Sequence, residues 1–295
     1  MNAPWMATRL TLAALLGIAP LGGCWLSSSD QTTLTLAVAD TPVDGAQSVA
    51  VTFTGVQIQG AIGAPIEFDF PSPFQVNLLD LQDDNFALLL DGVDIPAGRY
   101  QWIRLKVDMS QSNITLADGS VHPLVIPSGD QTGIKLVSGF SIASGDDAVI
   151  TLDFDLRKSI ILASGAYDLK PALRLVDVNQ SGALEGDVSN TLSIGGVSIA
   201  APACQPAAYA YTGFNVTPVD INPTTTVQPV QTANVMLDGF TGNFHYGFDY
   251  MPPGNYTVAL VCAAGDDPAV VNTLSFTAAK KATVAADSLT EVDFP

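Results

Sequence analysis

Along most of this chain apolar and polar residues alternate with a period of two. Leu34-Thr-Leu-Ala-Val38, Val49-Ala-Val-Thr-Phe-Thr-Gly-Val-Gln-Ile58, Tyr100-Gln-Trp-Ile-Arg-Leu-Lys-Val107 and Val149-Ile-Thr-Leu-Asp-Phe-Asp-Leu156 are the clearest runs. Successive side chains of a strand point to opposite faces, so each run predicts a strand with one buried face. Turn signals separate the runs at short intervals: Pro42-Val-Asp-Gly45, Asp118-Gly119, Ser128-Gly129-Asp130 and Ser144-Gly145-Asp146. That spacing predicts a β-sandwich or barrel rather than alternating β and α units. Around Leu78–Leu90 apolar residues crowd without alternation, and a brief helical turn is expected there.

One short motif recurs. Pro96-Ala-Gly-Arg-Tyr100 and Pro252-Pro-Gly-Asn-Tyr256 share Pro-x-Gly-x-Tyr and each opens an alternating run; Ser164-Gly-Ala-Tyr167 is a weaker third instance. Proline fixes φ, glycine supplies a positive φ, and tyrosine becomes the first inward aromatic of the strand. Its presence on both sides of residue 185 predicts two domains of related architecture. Patterning pauses at Asp177-Val-Asn-Gln-Ser-Gly182. The expected organisation is an all-β protein with two tandem antiparallel β-sandwich domains, residues 32–185 and 186–295.

A second alternating segment is aromatic. Phe244, Tyr246, Phe248 and Tyr250 alternate with His245, Gly247 and Asp249, which places all four rings on one strand face. Facing inward they are core. Facing outward they form a platform for sugar rings or a partner's apolar edge, which Tyr209 and Tyr211 would extend.

Hydrophobic residues make up 47% of the chain and charged residues 14%, enough apolar material for two cores and no sign of wholesale disorder. Acids outnumber bases 29 to 11, giving a net charge of −18. A field of that sign repels nucleic acid and anionic lipid headgroups, so nucleic acid is not an expected partner. Divalent cations or cationic partners would suit it, and its plainest consequence is solubility.

The N-terminus adds an address. Arg9 precedes a short apolar run that ends in Leu21-Gly22-Gly23-Cys24. The run is too short to span a bilayer, and no other stretch is long enough for a transmembrane helix, so residues 1–23 are expected to be a cleaved export signal. Leu-Gly-Gly-Cys resembles the bacterial lipobox, which implies lipidation of Cys24, with residues 24–31 as the lipidated cysteine and a polar tether. Lipid chains bury about 0.8 kcal/mol per CH₂, enough to hold a protein on a membrane. Trp25, not Asp, follows the anchor, which by the common sorting rule implies the outer membrane. With Cys24 set aside, Cys204 and Cys262 are expected to pair in an oxidising compartment, closing a loop worth ~4 kcal/mol in the chain-entropy model. Two buried thiols are the alternative.

Leu79-Asp-Leu81, Ile95-Pro-Ala-Gly-Arg-Tyr100, Ile126-Pro-Ser-Gly129, Gly133-Ile-Lys-Leu136, Leu152-Asp-Phe-Asp155 and Leu169-Lys-Pro171 follow Asp40-Thr-Pro-Val-Asp44 in order. The succession, over roughly residues 32–190, resembles the bacterial lipoprotein domain of unknown function 4382. It implies an exported all-β domain, commonly lipid-anchored, and no catalytic residues. The second half, through Pro252-Pro-Gly-Asn-Tyr256, is similar in style to transthyretin-like and carboxypeptidase-regulatory-like β modules. The resemblances imply sandwiches of Ig-like or transthyretin-like kind.

Candidate chemistry is thin. His122 and His245 are the two histidines, one in each expected domain, and a hydrolase would need one of them beside a serine and an acid. Gly196-Val-Ser-Ile-Ala200 lacks the final glycine and helix of a nucleophile elbow. Asp177-x-Asn179-x-Ser181-Gly182 matches half of a calcium-binding loop, but Val188 stands where a bidentate Glu should close it, so an Asx-turn linker is the better reading. No cofactor is expected. The function expected is a lipid-anchored, non-catalytic envelope module that binds or scaffolds a protein or glycan. A purely structural subunit of an envelope assembly is the alternative, and a cryptic hydrolase comes third.

Overall fold

Strand Thr33–Thr41 carries Leu34, Leu36 and Val38 into the interior, each fully buried. In a computed structural model the described residues are 32–41, 45–81, 85–126, 133–163, 166–221, 226–262 and 274–295. The signal segment, Cys24 and the tether lie outside them, as do most of the turn signals at 42–45 and 128–130. All described sheets are β-built, and no helix among the described residues is long and apolar enough to cross a membrane.

Thr33–Thr41 lies in a four-stranded sheet between Asp147–Asp155 and Ala87–Asp94, with Leu173–Asp177 beyond. A nine-stranded sheet is organised around the long strand Ala46–Gly60, flanked by Ile66–Asn77 on one side and by Asn113–Leu116 and Gly98–Val107 on the other. The inner faces of both sheets share one core, including Phe53, Val56, Ile103, Leu105, Leu152 and Phe154. Each alternating run read from the sequence forms a strand, because alternation supplies the apolar face that two packed sheets need.

A second core begins at Leu184. It joins the sheet containing Gly182–Val188 and Phe244–Met251 to the sheet containing Ala207–Thr212 and Gly254–Val261. Residue 185 therefore falls inside a strand of the second core, and the change of core lies at the 3-10 turn Val178–Gln180.

Three expectations need correction. The sheets are not purely antiparallel: Thr33–Thr41 runs parallel to Asp147–Asp155, and Gly182–Val188 runs parallel to Leu289–Glu291. Alternation fixes which face is buried, whereas the connection decides strand direction. Among the described residues of 78–90 the helical element is the 3-10 turn Leu78–Asp80; Ala87–Asp94 is a strand whose bulged pairing with Thr33–Thr41 breaks the alternation. The third concerns the recurring motif. Both copies fold back identically: the Tyr100 hydroxyl donates to Pro96 O, and the Tyr256 hydroxyl donates to Pro252 O at 2.6 Å. Burial pushes both hydroxyls above the ordinary tyrosine pKa, which keeps them donors. Only Gly98 has a positive φ, +151°; Gly254 is not among the positive-φ residues.

Strand Ile66–Asn77 is an edge, paired only with Ala46–Gly60 among the described residues. Pro71 and Pro73 lie in its middle, where they remove the donors a further strand would need.

Candidate functional site

The aromatic strand resolves into core. Tyr246 and Phe248 are each 1% exposed, and Phe244 packs against the same cluster. The Tyr246 hydroxyl donates to Val292 O at 2.6 Å, and burial raises its pKa. Tyr250 leaves the alternation. Between the pairs Leu184–Phe248 and Gly182–Met251 the aromatic strand carries one extra residue, Tyr250 adopts φ +55°, and Met251 takes the inward position. Such a bulge reverses the parity of a strand. The four rings therefore form no exposed platform, and the criterion of an outward aromatic face is not met here.

Tyr250 instead borders a cleft of about 160 Å³ between the two cores. Asp40 and Asp153 line it from the first half; Gln231, Asn234 and His245 line it from the second. The strands that meet here are Thr33–Thr41 and Gln231–Asn234, and the small side chains of Ala37 and Ala39 permit the approach. Basic residues brace this seam. Arg157, fully buried, donates from Nη2 to Asn234 Oδ1 at 3.0 Å. Lys158 donates to Pro229 O at 2.6 Å and pairs with Asp155 at 2.7 Å. Arg174 pairs with Asp153 through Nη2 and through Nε at 3.0 Å. Burial raises the Asp153 pKa against the opposing pull of Arg174. Gln231 holds Asp249 O through Nε2 at 3.0 Å, while its buried Oε1 has no hydrogen-bond partner among the described residues.

Chemically the seam is a junction. Its cations are committed to backbone carbonyls, an amide oxygen and carboxylates, and a buried cation that loses such partners is costly. The alternation of Val149–Leu156 predicts the strand but not this seam, which needs the cross-core contacts of Arg157 and Lys158. No signal in the run Asp153-Phe-Asp-Leu-Arg-Lys158 announces it, since two acids followed by two bases suit a solvated strand exit equally well.

Neither histidine completes a hydrolytic constellation. His122 Nε2 lies 3.0 Å from Ser120 Oγ, but Ser120 Oγ donates to Asp118 Oδ1 at 2.6 Å. The acid therefore holds the serine, not the histidine, and the three residues form a hairpin turn; the same bond lowers the Asp118 pKa. His245 sits between carboxylates on the outer sheet face, with Nδ1 3.1 Å from Asp187 and Nε2 3.8 Å from Glu185. Ser198 lies in a two-stranded hairpin and not at a strand-to-helix turn.

The calcium candidate is an Asx-turn. Asp177 caps the 3-10 turn by accepting from Asn179 N at 3.1 Å and from Gln180 Nε2 at 2.6 Å, while Ser181 Oγ donates to Val178 O. Among the described residues no group of three or more His, Cys, Asp or Glu is placed to share a metal ion. Cys204 and Cys262 form a disulfide, with an S–S distance of 2.00 Å. It staples the end of the antiparallel pair in which Ala207 faces Val261.

Residues 31–171 match the family model described as Domain of unknown function (DUF4382). No curated protein matches the chain. Among solved structures, the Bacillus anthracis TIE protein is 10% identical at a TM-score of 0.21; the match covers 90% of this chain and 33% of that one, so this chain spans about a third of its length. A candidate cell adhesion protein from Bacteroides fragilis is 8% identical at 0.24, covering 89% of this chain and 92% of that one. A candidate adhesin from Bacteroides ovatus is 10% identical at 0.22, covering 96% and 99% respectively. Likenesses at these TM-scores carry no functional weight.

Proposed function

This chain carries a DUF4382 domain over residues 31–171, and from that premise we propose that it is a lipid-tethered, non-catalytic module of the bacterial envelope. Cys24 bears the lipid, and the two cores are two sandwich-like domains that divide at Val178–Gln180. They are clamped at the seam into one body that presents sheet faces and loops to a protein or glycan. The observation that carries the reading is the Cys204–Cys262 disulfide. Structural disulfides belong to oxidising compartments, and this one uses the cysteines other than Cys24. That leaves Leu21-Gly22-Gly23-Cys24 as an attachment point. The braced seam supports a scaffold, since its charged groups serve cohesion.

The test is metabolic labelling with an alkyne fatty acid, followed by membrane fractionation. Wild type is expected to label and to sediment with outer membrane. Cys24→Ala should neither label nor sediment, while staying folded. A Cys24→Ala protein that still labels, or a wild type that never does, would falsify the anchor.

A further inference from the structure

The outer face of the nine-stranded sheet carries a group of side chains that neither core nor seam uses. Lys135, Arg104, Gln57 and Glu67 stand side by side across four strands, each paired with the next in register. Trp102 lies on the same face, two residues before Arg104 and opposite Gln59. The Arg104 guanidinium is 4.9 Å from the Trp102 ring centre, and Lys135 Nζ is 4.4 Å from it. Arg104 donates to Gln57 Oε1 at 3.0 Å, and Gln57 donates to Glu67 Oε1 at 2.9 Å. Lys106 is neutralised by Glu67 and Asp69, each at 2.7 Å.

Arg104 and Lys135 have no carboxylate partner among the described residues. Like charges directly opposite in a sheet repel, and a chain with 29 acids has many carboxylates it could place between them. Here two cations are instead held against one indole, beside a planar amide. We propose that this face binds an acidic polysaccharide, with a hexuronate ring lying at Trp102 and its carboxylate held by Arg104 and Lys135. Charge complementarity selects the ligand: the molecule as a whole is negative, with net charge −18, and repels polyanions except at a site built for them. The indole holds the guanidinium and the ammonium together through cation–π contact, and the two cations supply charge-assisted hydrogen bonds to the carboxylate. The inference rests on the binding-module reading above and names its partner class.

The experiment is affinity electrophoresis of the detergent-extracted full chain through gels containing polygalacturonate, with neutral dextran as the parallel gel. Wild type is expected to be retarded by polygalacturonate alone, less so at high salt. Lys135→Gln, an exposed change that does not threaten folding, should weaken retardation roughly tenfold, the size of one charge-assisted hydrogen bond. Trp102→Ala, checked for fold by circular dichroism, should weaken it at least as much. Lys281→Gln, beside Phe214 in the other half, should leave it unchanged. Absence of retardation, equal retardation of all variants, or equal retardation by dextran would each overturn the proposal. So would competition by inorganic phosphate as effective as that by galacturonate oligomers, which would mark a simple anion site. The readout does not depend on Cys24, so failure here and failure of the anchor are separately visible.

Discussion

Removing the disulfide should destabilise one core and spare the other. Cys204 and Cys262 are 58 residues apart in sequence, and Cys204 is fully buried in the second core. Closing a loop of that length removes unfolded-state entropy worth ~4 kcal/mol. For a unit the size of residues 182–295, that corresponds to a fall in Tm on the order of 10–25 °C. Cys204→Ala with Cys262→Ala leaves no buried polar group behind. The chain's tryptophans, Trp5, Trp25 and Trp102, all precede the second core, which contains tyrosines but no tryptophan. Tryptophan emission therefore follows the first core, while calorimetry records both. The expected result is one calorimetric transition that moves down by the stated amount and a tryptophan transition that stays within a few degrees. If both transitions fall together, the seam makes the two cores a single cooperative unit and the two-domain proposal fails. If neither moves, the bridge does not constrain the unfolded chain as argued.

Other perturbations are equally specific. A Cβ on Gly186 would lie 2.0 Å from Val292 O, so Gly186→Ala should cost ~1–3 kcal/mol and raise hydrogen exchange over residues 289–294; unchanged protection there would contradict the close approach. Arg157→Ala empties a fully buried side-chain site in the seam and removes the bond to Asn234; it should cost ~2–5 kcal/mol, with exchange rising in Gln231–Asn234 before either core opens. Tyr100→Phe and Tyr256→Phe each delete one hydroxyl donor and should each cost ~1 kcal/mol. Because they sit in different cores, each should lower the urea midpoint of its own core's transition and leave the other's in place. Asp153 has a folded pKa raised above 3.8, so the native state holds that proton more tightly than the unfolded chain. Its contribution is full below pH 3.8 and is lost as pH rises through the raised value. Asp153→Asn should flatten that part of the stability profile, and an unaltered profile would show that Asp153 is not the group responsible.

Strand positions were legible because alternation is a local signal: Leu34, Leu36 and Val38 face inward as the pattern requires. The Pro-x-Gly-x-Tyr device was legible as a structural element, although its proline-carbonyl acceptor required coordinates. Tyr250 was not legible, since one inserted residue reverses facing and no residue type announces it. The parallel pairing of Thr33–Thr41 with Asp147–Asp155 was hidden for a different reason, because strand direction depends on the path of the intervening chain. Arg157 gave no sign of its burial, as a cation after a strand usually reads as solvent-facing. Trp102 was read as part of a strand pattern, and only cross-strand register brings Lys135 and Arg104 to it.

The pairing of Thr33–Thr41 has a temporal side. Ribosomes make this strand before Asp147–Asp155, its parallel neighbour, exists. Through more than a third of synthesis, Leu34, Leu36 and Val38 have no completed sheet to enter. Non-local pairings of this kind close late, and apolar strands left waiting are prone to stick to other chains. A truncated chain ending before residue 147 leaves that apolar strand without its parallel neighbour and should be among the most aggregation-prone forms of the protein.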